Sequence, residues 1–351
     1  MSNTNTSCPR VDIGGQAVME GVMMKAPDAI AISVRRPNGK IVVKRTGYTP
    51  ASKKHAWMGW PFIRGIINMG SMLAMGMRTL QDSTDMLGVM DEEPTKFEKW
   101  LSQKLGKGID KIVMAVAVVL AVVLAMGLFV LVPSLFGQLF RSFISSTVVV
   151  NLLEGVIRIA ILIGYMIFCG KVPDVRRTFQ YHGAEHKTVY CHEHDLPLTP
   201  ENARPFTTLH PRCGTSFLFI VFFLSMLAHV VVAYNGPLFI WRFLSRLALL
   251  PIMAGVSYEV LKGLAHADGK LVHALRWPGM QLQRLTTKEP DDSMLEIAIC
   301  SMNVALHGIP KHVTPDKNGW FYIDSYKETE PGYVPPVQEE NEAETDAEIE
   351  A

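Results

Sequence analysis

Between Ile112 and Val132 the chain runs without one charged residue and stops at Pro133. About 21 apolar residues in helical conformation span ~30 Å, the thickness of the hydrocarbon core of a bilayer. A helix that is apolar all round has to be covered on every side, by lipid or by other helices, so this segment sets the solvent in which the chain folds. Three further stretches repeat the pattern: Val148 to Gly170, Phe217 to Tyr234 and Leu238 to Val260. The expected fold class is therefore a polytopic α-helical membrane protein with about four transmembrane helices.

Charges nevertheless fall inside these stretches. Glu154 and Arg158 are one helical turn apart and can neutralise each other, while Arg242 and Arg246 stand near the start of the last stretch. Ion pairing or snorkelling is the expected role for them, rather than an ion pathway. Composition agrees with the membrane class: 48% of the 351 residues are hydrophobic and only 19% charged. The net charge of +1 conceals an acidic tail from Glu328 to Ala351 that contains no Lys or Arg. The remainder is basic, as suits a chain lying against anionic lipid, so the bilayer is the first expected partner. No basic run is interleaved with aromatics, which argues against a nucleic-acid partner. The five cysteines are odd in number and form no C-x-x-C pair, so no disulfide framework is expected. The first residues lack the charged and apolar regions of a secretory signal, leaving the first span to direct insertion.

Orientation follows from the short loops. Ser134 to Thr147 carries only Arg141 and the turn Asn235-Gly236-Pro237 carries no basic residue, whereas 171–216 holds Lys171, Arg176, Arg177, Lys187, Arg204 and Arg212. The excess of Lys and Arg places that loop and both termini in the cytoplasm.

Four regions follow: 1–111, a cytoplasmic N-terminal region; 112–260, a four-span membrane domain that includes the loop 171–216; 261–307, a cytoplasmic C-terminal region; and 308–351, an acidic and largely disordered tail. In the first, Ala29 to Arg35 and Lys40 to Thr46 alternate apolar and polar residues around Pro37-Asn38-Gly39, which predicts a small β-hairpin. Gly14, Gly15 and Gly21 allow close backbone approach but lack the order of a nucleotide fingerprint. From Trp60 to Leu87 an apolar stripe of Ile63, Ile66, Ile67, Leu73, Met77 and Leu80 predicts a helix. Its uncharged centre between Arg64 and Arg78 is too short to cross a bilayer, so it is an interfacial or core helix. A short amphipathic helix is expected around Phe97, Trp100 and Leu101, and another helix from Asp291 to a stop at Gly308.

The chemistry concentrates in the loop 171–216. His182-x-x-Glu185-His186 places two imidazoles four residues apart, on one face if the segment is helical, with Glu185 beside them as a candidate general base on water. Five of the eleven histidines and two of the five cysteines lie between His182 and Cys213. Two ligand sets fit this clustering. In one, His182, His186 and Glu201 hold a divalent metal, zinc by the ligand types, and leave a position open as hydrolysis requires. In the other, His182, His186, His210 and Cys213 close a tetrahedral shell that is structural. Lys187 and Arg212 are candidates for anionic lipid headgroups.

The motifs resemble those of the YqhQ-like family of bacterial membrane proteins. The resemblance rests on Gly14-Gly15-Gln16-Ala17-Val18-Met19-Glu20-Gly21, Tyr181-His182-Gly183-Ala184-Glu185-His186-Lys187, Leu198-Thr199-Pro200-Glu201-Asn202, His210-Pro211-Arg212-Cys213-Gly214-Thr215-Ser216-Phe217 and Pro278-Gly279-Met280-Gln281-Leu282-Gln283-Arg284-Leu285-Thr286-Thr287. It implies a bacterial cytoplasmic (inner) membrane protein whose family carries the label of predicted metal-dependent enzymes without an established activity. His182, Glu185, His186, Glu201, His210 and Cys213 stand at matching motif positions, whereas Cys191, His192 and His194 do not. Glu20 near the same site is implied by the resemblance alone. The functional expectation is a metal-dependent membrane protein, a possible hydrolase of lipid or peptide with Glu185 as catalytic base. The alternative is a non-enzymatic membrane scaffold or assembly factor whose metal is structural and whose partner is a lipid or membrane protein.

Overall fold

The computed structural model describes residues 13–50, 55–88, 109–231, 239–267 and 269–335. Four strands open the described chain: β1 (Gly14–Val18), β2 (Gly21–Lys25), β3 (Ala29–Arg35) and β4 (Ile41–Gly47). A fifth, β5 (Trp320–Ile323), comes from the far end and pairs with β4, giving an antiparallel sheet in the order β1-β2-β3-β4-β5. The β3–β4 turn contains Asn38-Gly39 with Gly39 at φ 85°, the left-handed conformation that glycine adopts without strain. The expected small hairpin is therefore corrected to a five-stranded sheet.

Both faces of this sheet are covered, which explains why β2 shows no polar alternation. Val22 and Met24 point into one core, shared with Ala31, Ile41, Val43 and Phe321, while Met23 points into another with Val18, Ile32, Val34 and Val42. Helix α1 (Ile63–Leu87) covers the second face and contributes Met86 and Leu87. The first face is covered by a helix at Asp292–His307, the tenth in chain order and called α10. Asp291 caps its N-terminus by accepting from the Met294 amide at 3.0 Å. From Met294 to Ala305 only Glu296 escapes burial, and it pairs with Arg35 at 2.7 Å. The buried hydroxyl of Ser301 donates to the Val22 carbonyl at 2.6 Å, so the helix–sheet seam leaves that group satisfied.

Between the sheet strands the chain makes its apolar helices: α2 (Ile109–Met126), a π-helical turn (Gly127–Leu131), α3 (Val132–Phe140) and α4 (Thr147–Cys169). The π turn immediately precedes Pro133, whose ring displaces the preceding carbonyls from a regular ladder. Arg158 on α4 donates from Nε to the Phe129 carbonyl at 3.0 Å, satisfying a group at this irregular turn. Gly137 on α3 lets α4 come close, since a Cβ there would stand 1.6 Å from a Glu154 carboxylate oxygen. Glu154 and Arg158 are 5% and 7% exposed, so these charges face protein and not lipid. The side chains of Arg242 and Arg246 lie outside the described residues, as does the short helix expected around Phe97 to Leu101.

The expectation of four spans is corrected. Among the described residues two stretches, Ala115–Phe140 and Thr147–Cys169, are long and apolar enough to cross a membrane. In α7 (Gly214–Val231) the apolar stretch is Gly214–Ala228, about 22 Å of helix. Helix α8 (Phe239–His266) is long, but its sequence holds Arg242, Arg246, Glu259 and Lys262, and Pro251 stands inside it. Apolar runs in the sequence thus overstate the number of spans because some of these residues pack against other helices. Gly65 of α1 abuts Gly255 and Tyr258 of α8, and Arg64 binds Glu259 at 2.7 Å beside that contact.

The expected metal-site loop is also corrected, because most of it is helical. It forms α5 (Pro173–Glu193) and the short α6 (Pro200–Ala203); α9 (Lys270–Thr286) follows α8 and leads into α10. Within the stretch expected to be a disordered tail, β5 and a single turn at Tyr326–Thr329 are ordered, the turn closed by a Ser325–Glu328 capping box. Residues 336–351, which hold most of the acidic block, lie outside the described residues.

Candidate metal centre

Helix α5 begins with Pro173 in its first turn and Asp174 next to it, both suited to a helix N-terminus. Its buried face, from Tyr181 through Ala184 and Glu185 to Thr188, is wedged against β1, β2 and α10. Glycine makes that closeness possible at two points. A Cβ on Gly183 would lie 2.0 Å from the Lys288 carbonyl oxygen in the linker between α9 and α10. A Cβ on Gly15 of β1 would lie 2.6 Å from Cγ of Glu185 and 2.9 Å from Oε1.

The two imidazoles on this helix are held alike. His182 Nδ1 contacts the Thr286 carbonyl at 2.9 Å, and His186 Nδ1 contacts the Thr208 carbonyl. A carbonyl only accepts, so each Nδ1 carries a hydrogen, and Nε2 is the atom left free to ligate in the neutral form of the ring. This is the outer-shell arrangement that orients metal-ligating histidines. The rings lie 4.5 Å apart between centroids. Cys213, immediately before α7, places Sγ 3.3 Å from His182 Nε2 and 3.1 Å from the Thr215 hydroxyl. One ligand atom from each of His182, His186 and Cys213 lies within 4.8 Å of the others.

A tetrahedral zinc shell needs an N···S separation of about 3.6 Å, given bonds of roughly 2.0 and 2.3 Å. The 3.3 Å between Cys213 and His182 is already close to that value. Two imidazole nitrogens and a cysteine sulfur, the latter as thiolate when bound, are also a donor set that zinc accepts, with a fourth position left for another group. Glu185, 5% exposed, stands at the edge of this cluster with Oε2 3.4 Å from His186 Nε2. It is near enough to share a water with the centre and is outside the three-atom group itself.

The turn that carries Cys213 is fixed by Gln283 of α9, which is fully buried. Its Oε1 accepts from the His210 amide at 2.8 Å, and its Nε2 donates to the His210 carbonyl at 2.8 Å and to Ser216 Oγ at 2.9 Å. A single amide side chain therefore grips the loop on both sides of Cys213. His210 does not join the three ligands. Its Nε2 contacts Glu193 Oε1 at 3.2 Å, and its ring centroid is 5.6 Å from that of His186. Glu201 is exposed on α6, apart from the cluster. The structure thus brings together parts of both ligand sets expected from the sequence.

Glu20, at the β1–β2 turn with φ 49°, reaches α5 one turn before His182. Its carboxylate accepts two bonds from Arg177 at 2.5 Å and one from the Tyr181 hydroxyl at 3.2 Å. Burial, with the Glu20 charge added, pushes the Tyr181 hydroxyl well above its ordinary range, so it stays protonated as the donor. Lys187 is 3% exposed and committed to Glu289 and to the Arg204 carbonyl, which removes it as a headgroup ligand. His194 bonds the Tyr190 carbonyl at 2.8 Å within its own helix turn. Sequence reasoning missed Thr208 and Thr286, because their contribution is a main-chain carbonyl that any residue supplies. It also missed the role of Gln283, for which membership of the Pro278–Thr287 motif was the only available signal.

Residues 60–308 match the family described as "Protein of unknown function (DUF1385)". The chain is 35% identical over 295 residues to "Uncharacterized protein YqhQ" of Bacillus subtilis (strain 168), covering 84% of this chain and 92% of that protein. No solved structure matches. Both matches take in α5, the Cys213 turn and α9, and the chain belongs to the DUF1385 family, together with its YqhQ relative.

Proposed function

We propose that the protein is a metal-dependent membrane protein of the bacterial cytoplasmic membrane, with a zinc-type centre at His182, His186 and Cys213 and Glu185 as general base, suited to hydrolysis of a membrane substrate. The observation that carries the reading is the grouping of one ligand atom each from His182, His186 and Cys213 within 4.8 Å of one another, with both Nδ1 atoms tied to carbonyls. When bound, a divalent ion there supplies Lewis acidity. His182 and His186 orient the centre through Thr286 and Thr208. Glu185 holds or takes a proton beside it, and β1 keeps bulk water from the far side of that carboxylate.

Membrane placement rests on the two candidate spans, which are joined by the short segment 141–146 and so form a hairpin. Arg141 is the one basic residue of that segment, whereas Lys171, Arg176 and Arg177 follow the second span. The positive-inside rule then assigns the sheet, the metal centre and both described ends to the cytoplasmic side.

Burial favours a second reading, a structural metal that holds α5 to the start of α7, since His186 and Cys213 are 2% and 8% exposed. Metal analysis of the purified protein and of His186→Ala tests both. Stoichiometric zinc, iron or manganese in the wild type and its loss from the variant is expected; no metal in either refutes both. Glu185→Gln separates them. A base is needed for turnover and not for binding, so the variant is expected to keep its metal and fail to complement a deletion strain. Full complementation would leave only the structural role.

A further inference from the structure

Helix α1 buries one side and exposes another that is equally apolar. Gly65, Thr79, Ser83, Met86 and Leu87 are buried, at the contact with α8 near the start and with the sheet further on. Opposite them, Ile66, Gly70, Leu73, Met77 and Leu80 recur at three- and four-residue spacing and are all exposed. Leu73 is 62% exposed, and a Cβ on Gly70 would meet nothing within 4 Å. The stripe runs about 21 Å along the helix. Charges keep off it: Arg64 binds Glu259 and Asp82 binds Lys44 on the packed side, and exposed Arg78 stands at the flank. An exposed apolar face of this extent marks a surface that meets lipid or another chain.

Two observations favour lipid. A short 3-10 turn, Ala56–Gly59, leads into α1, and around it Trp57, Trp60 and Phe62 are 49%, 61% and 54% exposed. Tryptophans beside an apolar helix face are the side chains that settle at the headgroup level of a bilayer. The neighbours of α1 also lead to a candidate span. Asn68 donates to the Tyr258 hydroxyl of α8 at 2.9 Å, beside the crossing of Gly65 and Gly255. Helix α8 packs on α7, and a Cβ on Gly155 of α4 would stand 2.2 Å from Met226 Cγ of α7. Through α8 and α7, the start of α1 is thus tied to the apolar hairpin. We infer that the Ile66–Leu80 stripe is set in the cytoplasmic leaflet, making α1 an interfacial helix that lies between bilayer and sheet with Trp57, Trp60 and Phe62 at the headgroups. The inference rests on the membrane placement proposed above and is independent of the metal. A second copy of the chain fits less well, since protein interfaces carry roughly one hydrogen bond per 100–200 Å² and the five stripe residues offer no side-chain donor.

The test is photocrosslinking of the full-length protein in nanodiscs of phosphatidylethanolamine and phosphatidylglycerol. Benzoylphenylalanine is placed singly at Leu73 or Met77, at exposed Val123 of α2 as the lipid-facing control, and at exposed Val334 as the water-facing control, and adducts are read by mass spectrometry. An interfacial helix sets its apolar face about 5–10 Å into the headgroup and acyl boundary, so Leu73 and Met77 are expected to give phospholipid adducts in the yield of Val123 and several-fold above Val334. With the probe at Leu80, the double variant Leu73→Glu, Met77→Glu is expected to lose most of the lipid adduct. It should keep the wild-type melting temperature, because both side chains are exposed. Lipid adducts at Val123 with only the Val334 background at Leu73 and Met77 overturn the inference and leave the membrane placement standing. A covalent dimer in place of the lipid adduct also overturns it and assigns the stripe to a second copy, and an undiminished adduct in the double variant counts against it equally. Absence of lipid adduct at Val123 as well removes the membrane placement itself.

Discussion

Substituting Gly183 by alanine tests how the centre is assembled. In an exposed helix interior this change stabilises by up to about 1 kcal/mol, because alanine is the better helix former. At Gly183 the sign is expected to reverse. The new Cβ would meet the Lys288 carbonyl oxygen at 2.0 Å, against the 3.4 Å at which ordinary contact begins, so helix and linker must part by about 1.4 Å. The linker is main chain and is pinned to α5 by the Lys288 amide on the Phe179 carbonyl at 2.9 Å and by Gln180 on the Glu289 carbonyl at 3.2 Å. The nearby His182–Thr286 contact of 2.9 Å cannot survive such a displacement. Overpacking of this kind costs about 1–3 kcal/mol and the hydrogen bond about 1 more, giving roughly 2–4 kcal/mol in total. Freeing His182 should in addition weaken metal binding by about 10–100-fold. Thermal unfolding in detergent and competition with a chromophoric zinc chelator measure the two effects. Gly70→Ala on α1, where a Cβ meets nothing within 4 Å, is the control and should be neutral or stabilising. A Gly183→Ala protein with wild-type melting and zinc affinity would refute the account of α5 as held by close backbone approach.

Other outcomes follow from single contacts. Glu20→Gly and Glu20→Ala both remove the Arg177 and Tyr181 bonds, but only alanine retains the cost of φ 49°, so the glycine variant should be the more stable by about 1 kcal/mol in the same melt. Burial pushes the Cys300 thiol up to about 12, so native protein should resist iodoacetamide at Cys300 with or without a chelator, while Cys213 becomes modified only after the metal is stripped. For Glu193, burial alone would raise the carboxyl pKa, yet the His210 hydrogen bond and the charges of His210 and Arg212 outweigh it and hold it below the usual range. A depressed folded value means stabilisation that is present above the unfolded value and disappears as the pH falls through the folded one. The advantage of the wild type over Glu193→Gln, about 1 kcal/mol, should therefore be seen at neutral pH and vanish on acidification to below the usual carboxylate range; a pH-independent difference would contradict it.

What the sequence disclosed depends on how far apart the cooperating residues lie. The β3–β4 hairpin, α1 and α10 were legible because Asn38-Gly39, the apolar stripe after Trp60 and the Asp291 cap are local signals. Strands β1 and β2 were not, since a strand covered on both faces loses alternation, and β5 pairs with a strand at the opposite end of the sequence. The spans were overcounted because apolar length does not distinguish lipid from a neighbouring helix as the covering partner. At the centre, the four-residue spacing of His182 and His186 was readable, as was the presence of Cys213 nearby. The turn that carries Cys213 towards His182, and His210 towards Glu193, is set by Gln283, which lies 70 residues further on.

The pairing of β4 with β5, Ile41 opposite Ile323, also has a consequence for how the protein is made. Synthesis of the roughly 280 residues between them takes about 15–60 s at 5–20 residues per second. Through that interval β4 emerges as a bare edge, α10 is not yet there to cover its face, and the apolar helices are made in the meantime. Thr286 and Gln283 are likewise translated long after His182 and Cys213. On the proposed metal-centre reading, loading of the centre would be a late event, after α9 has been made. A ribosome stalled before α9 would display the histidines on an open surface, where a chaperone or a metal donor has its last access to them.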